Sequence, residues 1–545
     1  MRGLLLVLLL LCCIYLKSNN NCLAFQPKPV LPTQKLIQQR ESSEGRSLDF
    51  RTATIAAAKV VRKRTSKVAR STSTAITMTK TTSDDCQKGS RNELFKVRTV
   101  TAFVTFEDSD FDGGEEVLKS KIHDTAGAIK AIQEKLENGD GDGGYEVQTV
   151  RIATNPFPEY LLGNNHDDNN GKLDIDNVVV RERLKAMDDC LEEHGIEFVS
   201  LGPANCPETT KICTEIVGLA SGRFSTSVQL PANDVALARV AAQTVLDNSK
   251  LGNPADGGLA NFRFCVANLG PYVPFFPGAK SASKNDNPNE SFRIRFAIGL
   301  ENGALLKDLL LNDAGQSIAN ILPPKKGSST SSSNSSFAAG FADAVRPIQT
   351  ICETFVKSWE DDSSSSSTAS LEYIGLDASF NPSLGDGGSV AAAVEVLKEV
   401  PRGFGGAGTI AATAAMTTAI QTRLPGNQNE DGFGFGIKLT GYNGLMLPLC
   451  EDQRLAQLAS NGKLRMTDLL NVSSVCGVGI DTVPVPGDAN IDELTSLYLD
   501  VAGLAERWNK PLSCRVFPVP NKIVGDMTTF DSPFLVNSKV LSLSS

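Results

Sequence analysis

Histidine is almost missing: the 545 residues contain three (His123, His166 and His194), none of them after position 194. Any site built on the C-terminal half therefore works without imidazole, which excludes His-based triads and His-ligated zinc there. The twelve cysteines include no CxxC pair, so neither a zinc ribbon nor a thioredoxin-type motif is present, and most of the thiols are expected to be reduced. After the leading residues no apolar run reaches the roughly twenty residues that a membrane-spanning helix needs. What is there is ordinary for a globular protein. The composition is 41% apolar and 21% charged, which excludes collagen-like, low-complexity and disulfide-knot classes.

The net charge of −9 hides a division. Residues 23–82 carry twelve Lys and Arg against three Asp and Glu, whereas residues 83–545 carry thirty-nine against fifty-nine. The acidic body has no basic stripe with which to neutralise phosphates, so no nucleic-acid partner is expected.

Met1 and Arg2 precede an apolar run over 3–16, and Cys22-Leu23-Ala24 presents small residues where a signal peptidase reads them. This reads as a signal peptide over 1–24 that leaves no membrane segment in the mature chain. Residues 25–90 are rich in Ser, Thr, Ala, Lys and Arg and poor in acid, as a transit peptide is. Together they resemble the bipartite presequence of algae with complex plastids, which implies a plastid reached through the secretory pathway. A secreted protein with a basic arm is the alternative.

The folded body is expected over 93–545 as a single large domain. Runs of β-branched and alternating residues mark strands near 94–106, 145–154, 196–201, 224–230, 262–269, 292–300, 373–380, 435–447, 477–483 and 512–516. Helical spacing separates most of them, which predicts a parallel α/β sheet, and ten such units suggest a closed barrel. Ser- and Asn-rich stretches near 164–170, 325–336 and 361–368 read as polar surface insertions.

In such a fold chemistry sits beyond strand ends. After the fifth strand, Asn268 opens a loop of aromatics and three prolines that either walls a pocket or forms a buried turn. After the seventh, Asp377 and Ser379 lead to Ser389, which either meets an anion at a helix start or caps that helix. Gly403, Gly405 and Gly408 match GxGxxG but follow a helical segment, so no NAD is expected. Tyr442 and Asn443 end the eighth strand. The ninth is framed by Cys476, a candidate nucleophile or a small buried hydrophobe, and by Asp481 and Asp488, candidate acid, base or Mg²⁺ ligands. Arg515, Lys522 and Asp526 follow the last strand. The two cations suit a carboxylate or phosphate, or an ion pair with a nearby aspartate. Neither zinc nor haem is expected.

The runs SSVCGVGIDTVPVPGD, NKPLSCRVFPVPNKIVGDMTTFDSPFLVNS and FAIGLENGALL resemble, in order, the uncharacterised family known as domain of unknown function 711. The resemblance runs from about Lys96 to the C-terminus. It implies a fold similar to the ten-stranded barrel of the pyruvate formate-lyase group. Radical chemistry does not follow, because glycyl radical enzymes carry an Arg-Val-x-Gly-aromatic loop near the C-terminus and residues 534–545 contain no glycine. The distribution of the family hints at amino-acid metabolism. Two functions are expected to compete: a metabolic enzyme acting on a small anionic metabolite, with Cys476, Asp481, Asp488 or Asp526 catalytic and Arg515 and Lys522 clamping the anion, or a non-catalytic ligand-binding or regulatory protein using the same cleft. A homo-oligomer is compatible with either.

Overall fold

The computed structural model describes residues 91–544, apart from 113–115, 140–142, 164–176, 220, 253–257, 287, 323–335, 362–368, 386 and 427–433. The signal and transit segments therefore lie outside the described residues, as do the polar insertions except for Ser336 and Asp361. Among the described residues no helix is long and apolar enough to cross a membrane.

Among the described residues nine strands form one sheet: β1 (Lys96–Val104), β2 (Val150–Thr154), β3 (Val199–Ala204), β4 (Phe224–Gln229), β5 (Phe264–Asn268), β6 (Arg293–Glu301), β7 (Ser370–Asp377), β8 (Gly479–Pro486) and β9 (Leu512–Val519). Their order across the sheet is β7-β6-β1-β2-β3-β4-β5-β9-β8. β1 to β5 are mutually parallel, as are β6 with β7 and β8 with β9. The two remaining joins, β1 with β6 and β5 with β9, are antiparallel. The sheet is therefore mixed, whereas the strand–helix alternation predicts a parallel one. Part of the reason lies between β5 and β6, which are not neighbours in the sheet: among the described residues of 269–292 the only helical element is the 3-10 turn at Lys284–Asp286, so no helix carries the chain back and β6 runs opposite to β5, antiparallel to its neighbour β1.

The pattern near 435–447 also predicts a strand, and the structure gives something looser. Glycines at 436 and 441 and Asn443 adopt positive φ, which breaks a regular ladder. What survives is a set of isolated parallel bridges, Leu439 with Leu376 at the end of β7, Leu445 with Phe380 just beyond it, and Pro448 with Asp481 in β8. The segment thus touches the strands at both edges of the sheet.

Helices cover one face. The long ones are α1 (Glu116–Asn138), α2 (Asn177–Glu193), α3 (Val235–Asn248), α4 (Ser336–Asp361), α5 (Thr409–Arg423) and α6 (Ile491–Trp508). Asp234 caps α3 by accepting from the Leu237 amide, and Asn490 caps α6 through Asp492. The other face is filled by the loop after β5. Phe103, Ala153, Ala279 and Ala297 form a small apolar cluster there, with Tyr272, Phe276 and Ile374 packed against it. The loop's carbonyls are satisfied by strand hydroxyls: Thr101 Oγ1 donates to Pro274 O at 2.8 Å, and Ser200 Oγ to Ala279 O at 2.7 Å. Gly299 makes room for it, since a Cβ there would lie 2.8 Å from the Phe275 ring. The proline-rich loop is a largely buried turn packed on this second face.

Candidate functional site

The site starts from a backbone irregularity in β8. Its pairing with β9 shifts between Ile480 and Val483, and Thr482, a β-branched residue, sits at φ +46°. Left-handed backbone is costly for such a residue and persists only where its surroundings enforce it. Here the enforcement is visible: Thr482 Oγ1 accepts from the Cys450 amide at 3.2 Å, and the Asp481 carbonyl accepts from Leu449 at 2.9 Å. The bulge thereby locks the turn after Pro448 against β8. Asp452, the last residue of that turn, is buried and accepts from Ser389 Oγ (2.6 Å), Ala391 N (3.2 Å), Arg454 N (2.9 Å) and Leu455 N (3.1 Å). One carboxylate thus ties the starts of two helical segments to the turn. Val536 N donates to Cys450 O at 2.7 Å, so the C-terminal tail is fastened to it as well. Glu451 is held in the middle of these ties.

Around Glu451 the strands gather charge. Arg515 in β9 grips Asp481 in β8 with two bonds, Nε to Oδ1 at 2.5 Å and Nη2 to Oδ2 at 3.0 Å. Its Nη2 also reaches Glu451 Oε1 at 2.9 Å, its Nη1 reaches Phe262 O at 3.1 Å, and its guanidinium lies 4.8 Å from the Phe262 ring centroid. Only 7% of this side chain is exposed. Burial alone would lower the Arg515 pKa, but Asp481 and Glu451 more than reverse that and raise it. On the far side of Glu451, Arg98 Nη2 stands 3.9 Å from Oε2, while Arg98 Nη1 binds Glu301 (3.1 Å) and Gln148 (2.9 Å). Burial, with Asp481 adding repulsion, pushes the Glu451 carboxyl above its ordinary range in spite of Arg515 and Arg98. A carboxyl in that setting is suited to holding and giving up a proton.

A cleft of about 370 Å³ opens onto this cluster, lined among others by Arg98, Glu301, Glu451, Ser383 and Phe534. It has the size of a small-metabolite pocket.

A family model described as "Uncharacterised ACR (DUF711)" matches residues 90–532. The chain belongs to this family. Its relatives are UPF0210 proteins. That of Oenococcus oeni is 24% identical over 461 residues, which cover 80% of this chain and 89% of the relative. That of Pyrobaculum arsenaticum is 33% identical over 151 residues, 28% of this chain and 32% of its own length. That of Lacticaseibacillus paracasei is 32% identical over 161 residues, 29% and 33% of the two chains. Against the Pyrobaculum and Lacticaseibacillus relatives the match thus spans about a third of their length.

In this DUF711 chain the residues singled out from sequence fall into three groups. Asp481 and Arg515 meet as described, although Arg515 spends its donors on Asp481, Glu451 and Phe262 instead of standing open for a ligand. Asp377, Ser379, Tyr442 and Asn443 converge on one buried knot. The Asp377 carboxylate accepts from Ser379 N (2.9 Å), Ser379 Oγ (2.6 Å), Tyr442 N (2.7 Å) and Asn443 N (3.1 Å), and Tyr442 OH pairs with Ser513 Oγ at 3.1 Å. Burial raises the Asp377 pKa. The knot fixes the turn at 440–444, where a Cβ on Gly441 would lie 2.2 Å from Asp377 Oδ2. Cys476 belongs beside it: the buried thiol donates to Leu445 O at 2.8 Å and burial raises its pKa, which keeps it protonated.

The third group stands apart from the cluster. Asp488 is exposed beyond β8. The Gly487 amide donates to Lys522 O, and Asp526 Oδ2 accepts from Ile523 N at 3.0 Å, so both lie in surface turns. Asn268 donates to Leu230 O at 3.3 Å and lines a second hollow of about 430 Å³ with Glu506 and Lys510. Ser389 is a cap for Ala392 that is itself bonded to Asp452. At the glycine run, the Phe404 amide is taken by Glu395 at 3.0 Å. Among the described residues no three His, Cys, Asp or Glu side chains are grouped as metal ligands.

Glu451, Arg98, Arg151 and Glu301 were not singled out by sequence reasoning. A signal did exist for two of them: Arg98 and Arg151 are charges inside runs that otherwise read as buried strands, and a charge there needs a partner or a ligand.

Proposed function

We propose that this protein is an enzyme that binds a small anionic metabolite in the cleft beside Arg98 and moves a proton to or from it through Glu451. The observation that carries the reading is the Glu451 carboxyl: rigidly placed, lining the cleft, raised in pKa by burial and bracketed by two arginines. In the proposed mechanism Arg515 and Asp481 are positioning residues, Glu451 exchanges the proton, and Arg98, with Lys96 beside it on the cleft lining, attracts the anion. Amino and keto acids are the first substrate classes to consider.

The same reading includes closure of the sheet. β1 to β5 form one parallel set; β6, β7, the segment over 437–448, β8 and β9 would form a second set of five running the other way, joined at both antiparallel seams. That arrangement supports a ten-stranded barrel similar to the pyruvate formate-lyase group, with the cleft at one mouth. Residues 1–24 and 25–90 are proposed to deliver the chain to a plastid.

A thermal-shift screen of the full chain against amino acids, keto acids, phosphorylated metabolites and divalent cations tests the binding half of this reading. A ligand at about a hundred times its Kd stabilises the native state by about 2.7 kcal/mol. At least one anion is expected to raise Tm, and Arg98→Met is expected to cancel the rise. An anion shift indifferent to Arg98→Met, or none across the panel, contradicts the site.

A further inference from the structure

Two water-exposed apolar side chains meet on the cleft from distant parts of the chain. Leu384, in the loop after β7, is 36% exposed and Phe534, in the C-terminal tail, 48% exposed, and both line the cleft. Each is held on a bonded turn. The Leu384 loop is closed by Ser383 N to Gly388 O and by Gly388 N to Gly385 O, both at 3.1 Å. Phe534 N donates to Ser532 Oγ at 3.2 Å, and Val536 N to Cys450 O at 2.7 Å ties the tail to the residue before Glu451. Phe95 and Pro382, both buried, continue the apolar lining. Large apolar side chains held in place and left in water gain by being covered, and an apolar group on the guest covers them.

The polar part of the lining provides for one acid group. Its cations are Lys96 and Arg98, and its carboxylates are Glu93, Glu301 and Glu451. Lys96 Nζ is paired with Glu146 at 2.8 Å, and Arg98 Nη1 with Glu301 at 3.1 Å. Arg98 Nη2 stands 3.9 Å from Glu451 Oε2, beyond hydrogen-bond length, and so is left to meet a guest carboxylate. A second carboxylate on the guest would face more lining carboxylates than cations.

We propose that Leu384 and Phe534 form the side-chain subsite of this cleft, and that its substrate is an acid with a single carboxylate and an apolar substituent larger than methyl. The carboxylate lies at Arg98 with the reacting centre beside Glu451, and the substituent lies against Leu384 and Phe534. This rests on the reading of the cleft as the active site and names its substrate class. Each buried methylene is worth about fourfold in affinity, so extending methyl to isobutyl in an open cleft is worth about tenfold or more.

Isothermal titration of the full chain with two matched sets of acids tests it: alanine, leucine and glutamate, and pyruvate, 4-methyl-2-oxopentanoate and 2-oxoglutarate. In whichever set binds, the isobutyl member is expected to bind about tenfold or more tighter than the methyl member, and the dicarboxylate no tighter than the methyl member. Phe534→Ser and Leu384→Ser are each expected to lower the isobutyl-to-methyl ratio about threefold or more, whereas Arg98→Met weakens the methyl and isobutyl members alike. A wild-type ratio near one, a ratio that neither serine variant lowers, or tightest binding by the dicarboxylate overturns the proposal. If one of these results is found while the methyl member still binds and loses its affinity in Arg98→Met, the cleft remains an acid site and the subsite falls alone. Absence of binding by wild type to all six acids, or binding indifferent to Arg98→Met, defeats the reading of the cleft and the subsite with it.

Discussion

At the scale of single residues, burial decides which carboxylates are structural and which are poised. Asp377 is fully buried and spends both oxygens on four donors, so its negative charge is consumed in holding a turn. Glu451 meets arginines on two sides and also borders the cleft. Asp377→Asn would set an amide against the Tyr442 N–H and leave that donor unpaired, which is expected to cost about 2 kcal/mol. Urea unfolding at neutral pH checks this; an unchanged midpoint would refute the role of the knot. Asp377, Glu451 and Asp452 all have pKa values raised on folding, chiefly by burial. The native state therefore binds protons that the unfolded chain has released. Their contribution favours folding at low pH and is lost as pH rises from the ordinary carboxylate range through the raised values, so the Asn variant should also show a flatter decline of stability across that window.

At the scale of elements, what was legible and what was not follows from the range of the interactions. β1 to β9 were each anticipated to within a few residues, because β-branched runs such as KVRTVTAFV announce themselves locally. The pairing of Asp481 with Arg515 was not legible: it depends on β8 lying parallel to β9 with a bulge at Thr482, a long-range register that no local pattern encodes. Arg98 and Arg151 were hidden for the opposite reason, since each sits in a strand whose apolar neighbours dominate the pattern. The segment over 435–447 read as a strand because of its Phe, Ile and Leu, and its glycines reduce it to isolated bridges. Those bridges still carry real bonds, with Thr440 N to Leu376 O at 3.0 Å and Met446 N to Phe380 O at 2.9 Å. If they close the barrel, the amides of Thr440, Met446 and Leu449 should resist hydrogen exchange as strongly as those of β7 and β8. Exchange at the rate of a surface loop would leave the sheet open between its edges.

At the scale of the whole molecule, membership of the DUF711 family over residues 90–532 brings no reaction with it, so function is argued from the site. The mixed sheet carries helices on one face and a proline-rich loop on the other, and Arg98, Glu301 and Glu451, the last of them tied to Arg515 and Asp481, border a cleft of metabolite size. A merely structural interior would not need Arg98 and Arg515 paired with Glu301, Glu451 and Asp481 there, because replacing buried ion pairs by packed apolar residues is often neutral or stabilising. The central claim is that Glu451 transfers a proton to or from a bound metabolite. The most direct measurement is a proton NMR time course of the full chain in deuterated buffer with pooled amino, hydroxy and keto acids, wild type beside Glu451→Gln. The account predicts turnover or deuterium incorporation in at least one acid with wild type, slowed by about a hundredfold or more in the variant. Equal rates in the two proteins, or binding of an acid with no exchange and no product in wild type, would contradict it and leave a protein that binds its ligand without turning it over.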